Sequence, residues 1–250
     1  GNFIMTKTLI LIPSRMAATR LPGKPLLKIN NLSIISHVFK RAEEANIGKV
    51  VVATDDQEIF KDVTKNGGKA ILTNKNHKTG TDRIFEAYKK LDIKNVDYIL
   101  NLQGDEPDIN KDDIINLNNF MINHDAGLGT LAAKIQDDKM LNNKNIVKVI
   151  TDKKLIENNF SIALNFTRDN LSTVSQNIYH HIGIYSYKVS VLEKFVSLDQ
   201  TNNEKKNKLE QLRALDNKLK INVALAKSSP IGVDTEEDYL AIKKIMEYKI

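Results

Sequence analysis

The first half of the chain alternates short apolar runs with longer segments in which apolar residues recur every three to four positions. Runs of the first kind predict buried strands, and the longer period predicts amphipathic helices. The predicted strands cover residues 8–12, 49–53, 69–72 and 96–102. The predicted helices cover residues 33–47, 54–66, 82–91 and 111–124. Strands that alternate with helices favour a mostly parallel sheet with right-handed crossovers.

Single residues mark the ends of several of these elements. Pro13 is expected to end the first strand. Ser33 and Thr81 are the expected N-caps of the first and third helices, because a hydroxyl side chain there accepts a free backbone N–H. Thr235 is the expected cap of the terminal helix, which extends to about Tyr248.

The second half has a different pattern, with short β-like segments joined by turn-rich connections. The predicted strands cover residues 129–134, 147–151, 161–166, 179–185 and 221–226. Helices are predicted over 189–196 and 204–215, and a long loop over 165–177. We expect one domain over residues 5–250, in which 130–220 forms a small β-rich lobe on the same mixed sheet.

Charged and polar residues follow three of the predicted strands. The segment 13–25 carries Arg15, Arg20 and Lys24 and contains no acidic residue. Because ligands bind at the carboxyl ends of parallel strands, this segment, Thr54-Asp55 and the loop 103–107 are expected along one crevice. Cations among small residues suit a polyphosphate. A solvated basic loop is the alternative interpretation of segment 13–25.

Two aspartates, Asp105 and Asp234, stand in strand-to-helix turns far apart in the sequence. Mg²⁺ takes one or two protein carboxylates and completes its octahedron with phosphate oxygens and water. The pair is therefore sufficient for a Mg²⁺–triphosphate site. Taken singly, Asp105 can instead be a turn former and Asp234 a residue of a helix N-terminus.

Arg83 and His181 are further candidates. Arg83 lies in the first turn of a predicted helix, where a cation gains nothing from the helix dipole, so it is a candidate fork for a carboxylate or phosphate. His180 and His181 are adjacent on a predicted strand and point to opposite faces, which disfavours a shared metal site.

Composition excludes several classes of protein. The chain is 41% hydrophobic and 27% charged, as in soluble globular proteins, and it contains no cysteine for disulfides or thiolate metal sites. The sequence shows neither a bilayer-length apolar run nor a secretion signal, so a cytoplasmic protein without a membrane partner is expected. The net charge of +6 raises a nucleic-acid hypothesis, but the lysines are scattered and no tryptophan is present, so no nucleic-acid partner is expected.

Seven short motifs occur in one order along nearly the whole chain. They are PSRMAATRLPGKPL at 13–26, ATD at 53–55, HKTGTDR at 77–83, NLQGDEP at 101–107, HIGIY at 181–185, LEQLR at 209–213 and GVDT at 232–235. With these motifs the chain resembles the 3-deoxy-manno-octulosonate cytidylyltransferases, or CMP-Kdo synthetases, of the sugar-nucleotidyltransferase superfamily.

The resemblance implies a three-layer α/β/α, Rossmann-like nucleotidyltransferase fold with a mostly parallel mixed sheet and a β-rich lobe. It implies transfer of CMP from CTP to the anomeric hydroxyl of 3-deoxy-D-manno-octulosonate (Kdo) or a close analogue, with release of pyrophosphate, for lipopolysaccharide biosynthesis. Mg²⁺ is the implied cofactor. A homodimer is the implied assembly, with the lobe at 130–220 serving in sugar-acid binding and dimerisation.

The resemblance also implies roles for particular residues. The implied catalytic residues are Arg15, Lys24, Asp105 and Asp234, of which the two aspartates bind Mg²⁺. The implied nucleotide-binding residues are Arg15, Lys24, Ala53, Gly80 and Gln103. The implied sugar-acid residues are Arg83, Gln103, His181, Tyr185, Glu210 and Gln211.

Departures from the family pattern keep alternatives open. Met16 stands where an aromatic residue is common, Asp108 where an apolar residue is usual, and the segment 169–177 lacks an expected Pro-Trp-like pattern. The substrate could therefore be 8-amino-Kdo or a nonulosonic, sialic-like acid. A catalytically silent nucleotide-binding protein is a third hypothesis. The roles of Arg20, Asp108 and the segment 169–177 stay open.

Overall fold

The computed structural model describes residues 5–17, 20–171 and 177–248. The strands are β1 (Thr8–Ser14), β2 (Lys28–Ile29), β3 (Leu32–Ser33), β4 (Gly48–Thr54), β5 (Ala70–Leu72), β6 (Tyr98–Leu102), β7 (Leu128–Lys134), β8 (Lys148–Thr151), β9 (Ser161–Thr167), β10 (Ile178–Lys188) and β11 (Asn222–Leu225). The helices are α1 (Ile34–Glu44), α2 (Gln57–Lys65), α3 (Gly80–Leu91), α4 (Lys111–His124), α5 (Asp138–Asn142), α6 (Val189–Ser197), α7 (Asn202–Asn207), α8 (Leu212–Asp216) and α9 (Glu236–Glu247). A short 3₁₀ turn covers Lys24–Leu26.

The chain divides into two compact units. The first unit comprises Gly1–Ile114 and Pro230–Ile250, and the second comprises Ile115–Ser229. The second unit contains the whole of the predicted lobe at 130–220. Within the predicted loop at 165–177, residues 172–176 lie outside the described part of the chain, as does Ala18 of the basic segment. Among the described helices, none combines the length and the apolar character that crossing a membrane requires.

The first unit is built on four parallel strands in the order β5-β4-β1-β6. Side chains of β1 from Leu9 to Ile12 are buried, as are those of β4 from Val50 to Ala53. Strands that are covered on both faces have continuous apolar runs, which is why the sequence pattern located them. Ser33 caps α1 by accepting the backbone N–H of Ser36, which confirms the predicted start of this helix.

The residue predicted to end β1 and the residue predicted to cap α3 are both wrong. Strand β1 continues through Pro13 to Ser14, because β6 pairs with β1 only as far as Leu11 and a proline is tolerated where one side of a strand is unpaired. Helix α3 is capped by Thr79, not Thr81, since the Thr79 hydroxyl accepts the backbone N–H of Asp82. The helix thus begins two residues earlier than predicted.

The second unit is mostly antiparallel. Strand β10 pairs antiparallel with β7 and β8, β9 pairs antiparallel with β8 and β11, and β7 with β11 forms the parallel pair. The register between β10 and β7 shifts between Ile182 and Tyr185, which marks a bulge in β10. With the parallel strands of the first unit, these pairings confirm the predicted mixed sheet.

The single helix predicted over 204–215 is wrong, because the chain forms α7 and α8 there. Lys208 adopts φ +53°, a left-handed conformation that ends α7. Glu204 and Arg213 then form a buried, bidentate ion pair with two 2.8 Å hydrogen bonds. The residues Leu209–Gln211 therefore lie in a connection between two short helices.

Candidate active site

Pro13, near the carboxyl end of β1, is the meeting point of three segments of the first unit. A carbon added at Gly80 would come within 3.2 Å of Pro13 Cγ, and one added at Gly104 within 3.2 Å of the Pro13 carbonyl oxygen. Ala53 of β4 is the register partner of Pro13. The start of α3 and the loop after β6 thus approach the end of β1 closely, and glycine permits that approach.

Lys24 follows a turn that only glycine adopts without strain. Gly23 has φ +70°, and the 3₁₀ turn Lys24–Leu26 begins immediately after it. This geometry directs Lys24 toward the loop after β6, where its Nζ lies 3.9 Å from Asp105 Oδ2. Lys24 thus forms an ion pair with the first of the two predicted metal ligands.

Asp234 is brought to the same place by an apolar anchor and a backbone bond. Val233 is wholly buried in a cluster with Ile29 and Ile34, which also contains Ile242 of α9. The backbone N–H of Val233 donates to the carbonyl oxygen of Asp105 at 2.8 Å. Asp234 is the next residue in the chain, so the two aspartates lie on neighbouring backbone segments.

The charges around Asp105 are those of a cation site. Burial raises the pKa of Asp105; the positive charge of Lys24 opposes this shift, while the carboxylates of Asp234 and Asp238 add to it. A cation between these carboxylates would relieve their mutual repulsion. Their oxygens are the hard ligands that Mg²⁺ prefers, so the residues fit such an ion.

In the part of the chain that the structure describes, no group of three or more histidine, cysteine, aspartate or glutamate side chains could hold a metal ion. A cation held by Asp105 and Asp234 would therefore complete its coordination with oxygens from phosphate and water. Two carboxylates of this kind fit a divalent metal ion that is bound together with a nucleotide.

Arg20 and Asp108, whose roles the sequence left open, both form ion pairs. Arg20 Nη1 lies 3.2 Å from Asp234 Oδ2, with 55% and 60% of the two side chains exposed. Asp108 Oδ1 lies 3.2 Å from Nη2 of Arg41, which attaches the loop after β6 to α1. The Asp108 departure from the family pattern is thus explained by a local ion pair.

Glu106, which follows Asp105 directly, is a further ionisable residue of this loop. Burial, followed by the charge of Asp105, raises the pKa of Glu106 to about 8. Its buried Oε2 has no hydrogen-bond partner among the described residues. Glu106 could have been identified as a candidate because it belongs to the NLQGDEP motif. Asp105 alone, however, was sufficient to account for the predicted metal-binding role of that motif.

Arg83 is buried, and its guanidinium is already engaged. Its Nη1 donates to Thr73 Oγ1 at 2.6 Å and to the Asn74 carbonyl oxygen at 3.0 Å, while its Nη2 lies 3.9 Å from Asp55 Oδ2. Burial lowers the pKa of Arg83, an effect that Asp55 opposes and the nearby Arg15 increases. Arg15 itself is exposed just after β1, and Gln103 is half-buried just after β6.

In the second unit, His181 and Tyr185 of β10 belong to one buried aromatic cluster. The His181 ring lies 4.9 Å from that of Phe166 and 5.4 Å from that of Tyr185, between centroids. Burial, with a smaller contribution from the charge of His180, lowers the pKa of His181 to about 3. His181 is therefore a neutral imidazole near pH 7.

Glu210 lies close enough to this cluster to affect its ionisation. Burial raises the pKa of Tyr185 well above its usual value, and the Glu210 carboxylate adds to the shift. Gln211 is the next residue, immediately before α8. His180 is engaged elsewhere, with its Nδ1 2.6 Å from Ser229 Oγ. The structure thus brings Glu210 toward Tyr185, while the His180 ring is engaged with Ser229.

Solved structures with this fold define the class of protein. A nucleotidyl transferase from Methanothermobacter thermautotroptrophicus matches with a TM-score of 0.63 at 13% identity, covering 98% of this chain and 99% of that one. A CMP:2-keto-3-deoxy-manno-octonic acid synthetase complexed with CTP matches with a TM-score of 0.87 at 32% identity, covering 98% and 100%. The fold is therefore that of the nucleotidyltransferases.

Sequence comparisons narrow the class to a family. A family model described as cytidylyltransferase matches residues 9–221. A 3-deoxy-manno-octulosonate cytidylyltransferase of Rhodopseudomonas palustris (strain BisB18) is 44% identical over 248 residues, covering 97% of this chain and 99% of that protein. One of Brucella anthropi is 44% identical over 233 residues, covering 93% of each. The chain belongs to the 3-deoxy-manno-octulosonate cytidylyltransferase family, which confirms the resemblance of its motifs.

Proposed function

We propose that this protein transfers CMP from CTP to the anomeric hydroxyl of 3-deoxy-D-manno-octulosonate and releases pyrophosphate, a step of lipopolysaccharide biosynthesis. Membership of the family and the names of its relatives support the reaction. The observation that carries the proposal is the meeting of Lys24, Asp105 and Asp234 beside the carboxyl ends of parallel strands. Three charged groups of this kind fit a metal-bound triphosphate.

The proposed mechanism is positioning with charge neutralisation, without a covalent enzyme intermediate. A triphosphate repels an oxygen nucleophile, and Lys24 and Arg15 would reduce that repulsion by pairing with phosphate oxygens. Mg²⁺, held by Asp105 and Asp234, would withdraw charge from the α-phosphate and from the leaving pyrophosphate. Ala53, Gly80 and Gln103 are proposed to hold the nucleotide; Ala53 and Gly80 are among the residues packed around Pro13.

Lys24 is suited to exchange one partner for another. Its 3.9 Å separation from Asp105 Oδ2 is longer than the 2.7–2.9 Å of a strong charged hydrogen bond. A bound phosphate would therefore compete with a weak contact only. When Lys24 turned to phosphate, Asp105 would lose its opposing charge and would, with Asp234, be available to hold a divalent cation.

For the sugar acid, charged and neutral groups have separate proposed tasks. Arg83, with Gln103, is proposed to recognise the substrate carboxylate through the guanidinium donors other than Nη1, which already donates to Thr73 and Asn74. His181, Tyr185, Glu210 and Gln211 are proposed to bind the uncharged hydroxyl-bearing part. A neutral imidazole and an un-ionised phenol are suited to hydroxyl groups, with which they exchange hydrogen bonds at no cost in charge.

Pyrophosphate release tests the reaction directly. The protein is incubated with CTP and Mg²⁺ and with Kdo, 8-amino-Kdo or a nonulosonic acid, and ATP, GTP and UTP serve as controls. With CTP and Kdo we expect the release of pyrophosphate and the formation of an equal amount of CMP–sugar. Faster turnover of 8-amino-Kdo or of a nonulosonic acid would replace the assigned substrate. If no pyrophosphate were released with any of the sugar acids, the hypothesis of a catalytically silent nucleotide-binding protein would replace the proposed function.

A homodimer in the cytoplasm, where CTP is available, completes the proposal. Light scattering of the purified protein is expected to give a mass about twice the 28.2 kDa of one chain. A mass of one chain at micromolar concentration would contradict the dimer without affecting the reaction.

A further inference from the structure

Thr130 is a buried polar residue whose hydroxyl has three neighbours, all in the second unit. It lies on β7 and is 0% exposed. Its Oγ1 is 2.6 Å from the carbonyl oxygen of Ile184, 3.3 Å from that of Ile182, and 2.9 Å from Nε2 of His181. The function proposed above assigns no role to this residue.

The bulge in β10 produces this arrangement. Leu131 is the register partner of Ile182, whereas Thr130 is that of Tyr185, so Gly183 and Ile184 are two additional residues on the β10 side. A bulge redirects the backbone groups of the longer strand. Here it brings two carbonyl oxygens, of Ile182 and Ile184, toward the Thr130 hydroxyl.

Counting protons then fixes the direction of each hydrogen bond. A threonine hydroxyl has a single proton to donate, and a carbonyl oxygen only accepts. The 2.6 Å between Thr130 Oγ1 and the Ile184 oxygen is the length of an O–H···O bond, and two oxygens without a proton between them would repel at that distance. The hydroxyl proton therefore points to Ile184, and toward His181 the same oxygen is left as an acceptor.

We propose that Thr130 is a positioning residue that fixes His181 as the neutral Nε2–H tautomer, so that Nδ1 accepts a hydrogen bond from a hydroxyl of the sugar acid. The proposal rests on the proposed function only in its second half, the contact with the sugar. Because Nδ1 then carries a lone pair and no proton, His181 selects a donor and cannot bind the carboxylate of the substrate.

The surroundings of His181 support a single neutral tautomer. Its backbone N–H is fixed by the Val147 carbonyl oxygen at 2.9 Å, and its ring is packed against Phe166 and Tyr185. Among the described residues, no hydrogen bond competes at Nδ1. The lowered pKa of His181, caused first by burial, agrees with a ring that stays neutral.

Nitrogen NMR of the histidine rings in the unliganded protein tests the tautomer. The chain has five histidines, and His181→Gln identifies the signal of His181. At pH 7.5 we expect the correlation pattern of a protonated Nε2 and an unprotonated Nδ1. In Thr130→Val, which removes the hydroxyl and nearly keeps the shape, we expect a mixture of tautomers. Thr130→Ser should restore the original pattern.

Kinetics of the same variants test the contact with the sugar. We expect Thr130→Val to raise KM for the sugar acid about 10-fold with KM for CTP unchanged, and Thr130→Ser to recover most of the loss. An unfolding curve establishes that Thr130→Val is folded. If Thr130→Val raised KM for the sugar acid and KM for CTP equally, it would indicate a structural role and overturn the proposal. The same holds if Thr130→Ser failed to restore KM for the sugar acid.

The two readouts separate this inference from the proposed function. A protonated Nδ1 in the unsubstituted protein would overturn the tautomer assignment even if Kdo were turned over rapidly. Conversely, a protonated Nε2 in a protein that turns over no sugar acid would support the assignment of Thr130. The proposed contact with the sugar would then be refuted together with the proposed function.

Discussion

In the first unit, the cations assigned to CTP are exposed or make only a long contact. In the second unit, two of the side chains assigned to the sugar, those of His181 and Tyr185, are buried in an aromatic cluster. Arg15 is exposed, and Lys24 is 3.9 Å from its carboxylate partner. His181 and Tyr185 are 8% and 9% exposed; burial lowers the pKa of His181 and raises that of Tyr185, so both side chains are neutral at pH 7.

The difference follows from the chemistry of the two ligands. A triphosphate carries several charges, so long-range attraction suffices and the cations can remain solvated until it binds. A sugar offers hydroxyl groups, whose recognition depends on short, directed hydrogen bonds from groups that are already oriented. We therefore expect substitutions of the proposed site residues in the first unit to change activity more than stability. Substitutions in the second unit should change both.

The largest effect is expected at Asp105. Asp105→Asn should lower kcat at least about 1,000-fold, because one of two proposed cation ligands is lost. Its unfolding midpoint should not fall, since the change removes a negative charge that lies near Asp234 and Asp238. Steady-state kinetics and thermal unfolding measure the two quantities. Asp108→Asn, in the same loop, is the control and should retain activity. Undiminished turnover in Asp105→Asn would refute the metal role.

A large loss of stability is expected when the Glu204–Arg213 pair of the second unit is broken. The two side chains are 4% and 2% exposed, and Arg213 also lies 4.6 Å above the Phe195 ring. Arg213→Met leaves the Glu204 carboxylate buried and should cost about 3–5 kcal/mol. Denaturant unfolding of Arg213→Met, Glu204→Gln and the double variant measures the loss. Because the pair also frames the connection Leu209–Gln211, KM for the sugar acid should rise. An unchanged unfolding midpoint in Arg213→Met would contradict a structural role for the pair.

An intermediate effect is expected from His181 as a function of pH. In the unfolded chain a histidine takes up a proton near pH 6.5, whereas in the folded protein His181 does so only near pH 3. Between these values the unfolded state binds more protons, so stability falls as the pH is lowered, by at most about 1.4 kcal/mol per pH unit. His181→Gln should remove this part of the slope. Chemical unfolding from pH 7 to pH 4 tests the difference, and identical slopes would show that His181 titrates normally.

Local signals made the first unit more predictable than the second. Apolar runs and turn residues placed Arg15, Lys24 and Asp105 at strand ends, and the rule for parallel sheets then gathered them at one edge. The break at Lys208 has no such signal, because neither glycine nor proline stands there and Lys208 adopts its left-handed conformation within a run of polar residues, 204–208. The contact between Thr130 and His181 likewise depends on a bulge, which periodicity does not reveal. Contacts between residues that are distant in sequence are determined by packing, which a local sequence pattern does not reveal.

The smallest effect is expected at Arg20. Its ion pair with Asp234 allows an effect on stability and an effect on metal binding to be measured separately. With more than half of each side chain exposed, its 3.2 Å contact with Asp234 should contribute at most about 1 kcal/mol to stability. Arg20→Gln should therefore leave the unfolding midpoint nearly unchanged. It should also tighten the binding of Mn²⁺, a paramagnetic substitute for Mg²⁺, to the protein without nucleotide, because Asp234 no longer has a competing cation. Titration followed by electron paramagnetic resonance measures this affinity, and Arg20→Lys, which keeps the charge, is the matched control. Weaker Mn²⁺ binding in Arg20→Gln than in Arg20→Lys would show that Arg20 orients Asp234 for the metal instead of competing with it. The exposed ion pair would then resemble the pre-organised contacts of the second unit.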